Sequence, residues 1–430
     1  MNNNTPIAPM EDRTQPARAP AFAWWKAAPR SAKKALIAAS FGWMLDSFDV
    51  MLYSMVLASL MADLHLSKGA AGILGSITLL AAAAGGLVFG IIADRFGRTR
   101  ALMASVLIYA IFTAACGLAQ NFVQLAVFRI LLGLGMGGEW ASGASLVSET
   151  WPAEHRGKAL GFMQSSWAIG YALAAFVAAV VMPLGGWRAV FFVGVLPALL
   201  TLWIQRSVEE PEVWKKTRNA AATTFGGFAE IFRGKLLPLT IVITLMNACC
   251  LFAWWGFNLW VPAYLSLPAT QGGIGLTSTA MSVVVIVMQV GMWFGYVTFG
   301  FVSDAIGRKR TYITYLLAAA SLLLLYGTTR SPVLLLILGP FVAFFGTGYY
   351  TGFAAVTAEI YETRIRSTAQ GFTYNAGRVA SAVAPFTVGS LAQKHGFGAA
   401  FAVGSLSFLL AAFFWIWIPE TKGRQLSPNI

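Results

Sequence analysis

The chain has 430 residues, of which 57% are hydrophobic and only 11% charged, with a mean hydropathy of +0.68. A soluble domain carries about 25% charged residues, so a water-soluble globular fold is excluded for most of this length. The net charge of +13 would suit a nucleic-acid binder, but its placement along the chain argues against that class.

Residues 1–32 form a polar, proline-containing tail in which "FAWWK" (22–26) suits the headgroup region. No apolar stretch followed by a small-residue cleavage site occurs there, so no signal peptide is expected and the first helix serves for insertion. Twelve apolar segments follow, at 35–62, 70–93, 101–119, 122–149, 158–182, 187–205, 236–266, 277–302, 311–328, 332–361, 367–391 and 398–418. A helix needs about 20 apolar residues to cross a bilayer core, whereas a membrane strand needs only about ten with strict alternation. The long, continuous runs rich in Ala, Leu and Gly therefore predict an all-α membrane protein.

Of the 30 Lys and Arg residues, 24 fall in the N-terminal tail, the loops after even-numbered segments or the C-terminal tail. Four fall on the other side (Lys68, Arg188, Arg330 and Lys394), and Arg129 and Arg378 lie inside segments. This asymmetry places both termini in the cytoplasm of a plasma (inner) membrane protein. The basic loops are topology signals, and no nucleic-acid partner is expected. Cys116, Cys249 and Cys250 sit in apolar segments without ligand spacing and read as small core residues. His65, His155 and His395 have no partner at metal-binding spacing, so neither metal nor cofactor is expected. No G-x-x-x-x-G-K-[ST] loop supports an ATP-driven pump.

The chain repeats itself. "GIIADRFGRTR" (90–100) returns as "GFVSDAIGRKR" (300–310), and "SETWPAEHRGKALGF" (148–162) aligns with "AEIYETRIRSTAQGF" (358–372) at the same offset of 210. "FDVMLY" is echoed by "FNLWVP" (257–262), which sets Asn258 opposite Asp49. The predicted organisation is a tail (1–32), a six-helix bundle (33–206), a cytoplasmic linker (207–234), a second six-helix bundle (235–421) and a short tail (422–430). Parallel repeats of this kind place a transport site near midplane between the halves.

These residues resemble the major facilitator superfamily from about Lys33 to Gly423. The loop pattern G-x-x-x-D-R-x-G-R occurs as Gly90, Asp94, Arg95, Gly97 and Arg98, with a partial copy at Gly300, Asp304, Gly307 and Arg308 in which Ala305 replaces the first arginine. Arg129, Gly133, Gly135 and Gly137 match the family's fourth-helix pattern, and "PETKGRQL" (419–426) resembles its cytoplasmic end of helix 12. The tight turns need Gly97 and Gly307, while Asp94 and Asp304 are expected at helix N-termini, paired with Arg98 or Arg308. The resemblance implies that this cluster, with Glu149, Arg156, Glu359 and Arg366, latches the cytoplasmic side shut in the outward-facing state. Simple anchoring of loops is the alternative.

Five charges lie inside helices: Asp46, Asp49, Arg129, Glu139 and Arg378. Each costs roughly 2.5–3.5 kcal/mol at the bilayer centre on insertion scales, so each requires a partner or a wet cavity. Asp46, Asp49 and Tyr53 share one face of helix 1, and Tyr374, Asn375 and Arg378 share one face of helix 11. Arg378 is the predicted anion-binding residue, because its fork matches a carboxylate. Asp46, Asp49 and Glu139 are the predicted proton carriers, with Arg129 in a relay or packing role. A structural ion pair between Asp49 and Arg378 is the alternative. Tyr53, Gln164, Trp167 and Asn258 complete the predicted substrate site.

"GWMLDSFDVMLY" and "YNAGR" resemble the sialate and lactate proton-symporter group. That resemblance implies a proton-coupled importer of an organic acid, the proton being the coupling ion, and a functional monomer is expected. Sugar porters are the runner-up, because "PETKG" and "EEPEVW" resemble their loop motifs.

Overall fold

The computed structural model describes residues 25–26, 28–152, 155–196, 198–199, 203, 230–234, 236–362 and 365–422. Most of the N-terminal tail, most of the 207–234 linker, the C-terminal tail beyond 422, and the side chains of Asp94, Arg156 and Arg366 lie outside these residues. Among the described residues there is no strand, and ten helical runs are long and apolar enough to cross a membrane.

The first half contains α1 (Arg30–Asp63), α2 (Lys68–Phe96), α3 (Arg98–Cys116) and α4 (Phe122–Thr150), then one run, Arg156–Val193. That run breaks at Gly186, whose φ of 69° and ψ of −173° belong to no helix and suit only glycine. The chain reverses there. Arg188 Nη1 binds Asp63 at 2.6 Å at the end of α1, and a Cβ on Gly194 would touch Thr113, one turn back along α3. The break divides the run into α5 (156–185) and α6 (187–193).

The second half repeats the scheme with α7 (Leu236–Ser266), α8 (Ser278–Ile306), α9 (Arg308–Thr328) and α10, which comprises Pro332–Thr347 and Tyr350–Ile360. α11 comprises Arg366–Ser381 and the run from Ala384 to a second break at Gly396 (φ 81°, ψ 169°). α12 (397–414) then runs back, as successive contacts of Phe401 with Phe257 and of Trp415 with Tyr312 show. Counting each side of the two breaks gives twelve helices, of which α6 is continuous only over 187–193, part of its expected 187–205 span lying outside the described residues.

The duplication is visible in the helix ends. Ser67, Asn121, Thr277 and Ser331 each cap a helix by accepting the backbone N–H three residues on, which satisfies one of the helix's orphan donors. Ser67 and Thr277 are 210 residues apart, as are Asn121 and Ser331, Gly186 and Gly396, and the turn glycines Gly97 (φ 113°) and Gly307 (φ 105°). The Gly133 and Gly137 ladder of α4 packs on α2: a Cβ on Gly137 would lie 1.9 Å from the Ala82 carbonyl oxygen. Small residues drive such close helix contact where lipid and side chains are equally apolar.

The bundles meet along α1–α7, α2–α11 and α5–α8. Their contact is closest at the end remote from the termini, called here the far end. A Cβ on Gly72 of α2 would come within 2.5 Å of the Pro385 carbonyl oxygen of α11, and Lys68 Nζ bonds Gln271 O at 2.6 Å and Ala392 O at 3.5 Å. Toward the terminal end, Gly90, Gly161, Gly300 and Gly371 on α2, α5, α8 and α11 look onto open space.

Candidate transport site

Two sets of groups meet at mid-depth. The first is a small cavity of about 30 Å³ between the bundles, lined by Trp43 (α1), Gln164 and Trp167 (α5), Trp254 and Trp255 (α7), Tyr296 (α8), Tyr350 (α10), and Tyr374 and Arg378 (α11). Trp43 and Trp167 lie 4.7 Å apart, and Trp167 meets Trp255 edge-on at 5.9 Å, so the aromatic wall continues from one bundle to the other. Arg378 is 5% exposed and is the sole charged residue on that lining. The space holds about one water, so a larger ligand requires the bundles to part.

The second set is a row of buried acids inside the first bundle. Asp46, Asp49 and Glu139 are each at most 1% exposed, and none of their carboxylate oxygens makes a hydrogen bond. Glu139 of α4 presses on α1, since a Cβ on Gly42 would sit 2.4 Å from its Oε1. It is close enough to Asp46 for the two charges to repel. Asp46 also lies within electrostatic reach of Arg378 across the bundle interface. Asp49 turns instead toward Thr113 and Tyr109 of α3 without closing a hydrogen bond.

Two site expectations are corrected by these positions. The structure does not pair Asp49 with Arg378: Asp46 is the acid within electrostatic reach of that guanidinium, while Asp49, on the same face of α1, is turned to Thr113 and Tyr109 of α3. Asp94 and Asp304 do not start helices. They lie in the last turns of α2 and α8, because single glycines at 97 and 307 make the turns. A carboxylate there opposes the helix dipole, and Arg308 offsets it by binding Asp304 at 2.5 Å.

The remaining predicted residues divide as follows. Gln164, Trp167, Tyr374 and Arg378 line the cavity, whereas Tyr53, Asn258 and Asn375 do not. The Tyr53 hydroxyl donates to Ala71 O at 2.8 Å, and the Arg129 guanidinium lies 4.1 Å above the Tyr53 ring, with Nε and Nη1 making no hydrogen bond. Asn258 reaches Met51 Sδ at 3.4 Å, and Asn375 donates to Gly371 O at 2.9 Å.

At the terminal end the motif charges pair within each bundle. Arg98 binds Glu149 at 2.9 Å, and Arg308 binds Glu359 at 3.0 Å. Arg95 is exposed in the last turn of α2, and Arg156 and Arg366 open α5 and α11. Sequence reasoning missed Glu420, which accepts the backbone N–H groups of Arg308, Lys309, Thr421 and Lys422 and thereby ties the α8–α9 turn to the chain after α12. It also missed Trp43, Tyr296 and Tyr350 as cavity residues. Aromatic side chains in interface helices were the available signal.

Two six-helix bundles of parallel repeat topology, with ionisable groups at mid-depth between them, define a secondary-transporter architecture. The Major Facilitator Superfamily profile matches residues 39–298 and 263–430. The chain belongs to that superfamily of transporters. It is 34% identical over 417 residues to a probable 4-methylmuconolactone transporter of Cupriavidus pinatubonensis (94% of each chain). It is 32% identical over 407 residues to a cis,cis-muconate transport protein of Acinetobacter baylyi (92% and 96%). It is 29% identical over 390 residues to a sialic acid transporter of Escherichia coli (90% and 94%). Among solved structures, the xylose transporter XylE from E. coli in a partially occluded inward-open conformation matches with a TM-score of 0.75 at 21% identity. That match covers 93% of this chain and all of the other, and shows the shared fold.

Proposed function

We propose that the protein imports an organic acid in symport with protons by alternating access, as a monomer in the inner membrane with both termini cytoplasmic. The observation that carries this reading is the single guanidinium of Arg378, held in an aromatic cage that spans both bundles, with the unpaired acid Asp46 in its reach. The names of the muconate and sialic acid relatives support an acid as cargo.

The chemistry follows from charge compensation. A substrate carboxylate matches the Arg378 fork and displaces Asp46 as its counter-charge. Asp46 is then an uncompensated buried charge beside Glu139, and a proton neutralises it. Substrate and proton thus enter as a neutral set, which lowers the cost of closing the low-dielectric site. The indole faces of the cage suit the apolar body of the acid. The far-end closure corresponds to an inward-facing state, and Asp94, Arg95, Arg98, Glu149, Arg156, Asp304, Arg308, Glu359 and Arg366 would close the terminal end when the bundles rock back.

The purified protein in liposomes, screened for proton uptake against a panel of acids and sugars, tests the proposal. Acid-driven internal acidification is expected, with its KM for the acid raised in Arg378→Lys. Proton flux with neutral sugars and none with acids would favour the sugar-symport alternative.

A further inference from the structure

A second and larger cavity lies at the far end. It has a volume of about 750 Å³ and is lined from both bundles, by Ser59, His65 and Lys68 on one side and by Gln271, Ser278 and Gln393 on the other. Tyr53 and the Ser54–Leu259 contact stand between it and the aromatic cage. At its edge the Lys68 ammonium is held only by neutral groups, namely Gln271 O at 2.6 Å, Ala392 O at 3.5 Å and the Phe397 ring at 5.0 Å. It forms no ion pair with any described residue.

The charge of this face is one-sided. Its loops carry Lys68, Arg188, Arg330 and Lys394 but a single carboxylate, Asp63, which Arg188 already engages at 2.6 Å. Membrane topology explains why cations are few here, but it makes little demand on Asp and Glu, so the scarcity of acids needs a separate cause. An uncompensated ammonium in a concave, partly apolar vestibule focuses the field on incoming anions.

We propose that this vestibule is a carboxylate-capture site in which Lys68 binds the incoming acid before it reaches the cage. Lys68 is also a strut, because its two carbonyl partners belong to the other bundle. An anion that takes over the ammonium releases α2 from Gln271 and Ala392 and so links arrival of cargo to parting of the far end. This proposal rests on the organic-acid reading of the central site.

Uptake of cis,cis-muconate and of N-acetylneuraminate by proteoliposomes, measured across a range of external ionic strength, tests it. Lys68→Gln is expected to raise KM about tenfold at low salt and to flatten its salt dependence, whereas Lys68→Arg retains that dependence. An unchanged KM and salt slope in Lys68→Gln, with uptake still crippled by Arg378→Lys, would overturn the capture site and leave the central reading standing. A change in maximal rate alone, equal in both Lys68 variants, would reduce Lys68 to a strut and overturn capture as well. If neither acid enters through the wild-type protein, both readings fall together.

Discussion

The Ser54 hydroxyl of α1 donates to the Leu259 carbonyl oxygen of α7 at 2.6 Å, joining the two bundles where these helices cross. The bond is fully buried, and Ser54 also approaches Asn258 O at 3.3 Å. Losing such a bond costs about 1 kcal/mol, which is roughly a fivefold shift in a two-state equilibrium. Ser54→Ala should therefore increase far-side opening about fivefold, read as faster labelling of a cysteine placed at Gln164 in the cage by a membrane-impermeant maleimide added from the far side.

A stronger shift is expected at Gly72. Any side chain there meets the Pro385 backbone carbonyl, which is not free to swing away. Overpacking costs about 1–3 kcal/mol, so Gly72→Val should favour the far-end-open state by roughly fivefold to 150-fold. Labelling at Gln164 from the far side should rise while net uptake falls. Unaltered labelling would show that α2 and α11 do not close on each other in the membrane.

Asp46 and Asp49 should separate functionally. Asp46→Asn removes the acid in reach of Arg378 and should abolish proton-driven accumulation while substrate exchange across the membrane persists. Asp49→Asn alters a group packed on α3 and should act more weakly on coupling. Proton flux and exchange measured on the same liposomes distinguish the two, and a larger coupling defect in Asp49→Asn would reverse the assignment.

Arg378→Lys retains the charge but loses the planar fork. Charge-assisted hydrogen bonds are worth about 1.5–3 kcal/mol, so KM for the acid should rise roughly tenfold to a hundredfold. Equal kinetics in wild type and Arg378→Lys would remove the guanidinium from the substrate site.

Glu420 predicts an acid limb of stability at the terminal end. Burial opposes its charge, yet four backbone N–H donors hold its carboxyl below the usual range. A group with a depressed folded pKa contributes stability that is complete above its unfolded value, about 4.3, and is lost as pH falls through the lower folded one. The melting temperature in detergent should drop more steeply below about pH 4.3 for wild type than for Glu420→Gln. Gly307 belongs to the same device, because a Cβ there would lie 2.6 Å from Glu420 Oε2.

The amino-acid sequence alone determined the apolar spans, the duplication and the tight turns at Gly97 and Gly307. Apolar length sets a span, glycine and cap residues set its ends, and both act over a few neighbouring residues. It also exposed Asp46, Asp49, Arg129, Glu139 and Arg378, since a charge stands out where its burial is costly. Only the tertiary structure decided that Arg378 faces Asp46 rather than Asp49, that Tyr53 and Asn258 leave the cavity to Trp43, Tyr296 and Tyr350, and that Glu420 closes the α8–α9 turn. The physical reason is that lipid and bundle interior are equally apolar. Hydrophobicity therefore carries almost no record of how each helix is rotated about its axis, and that rotation is settled by packing between helices far apart in the chain.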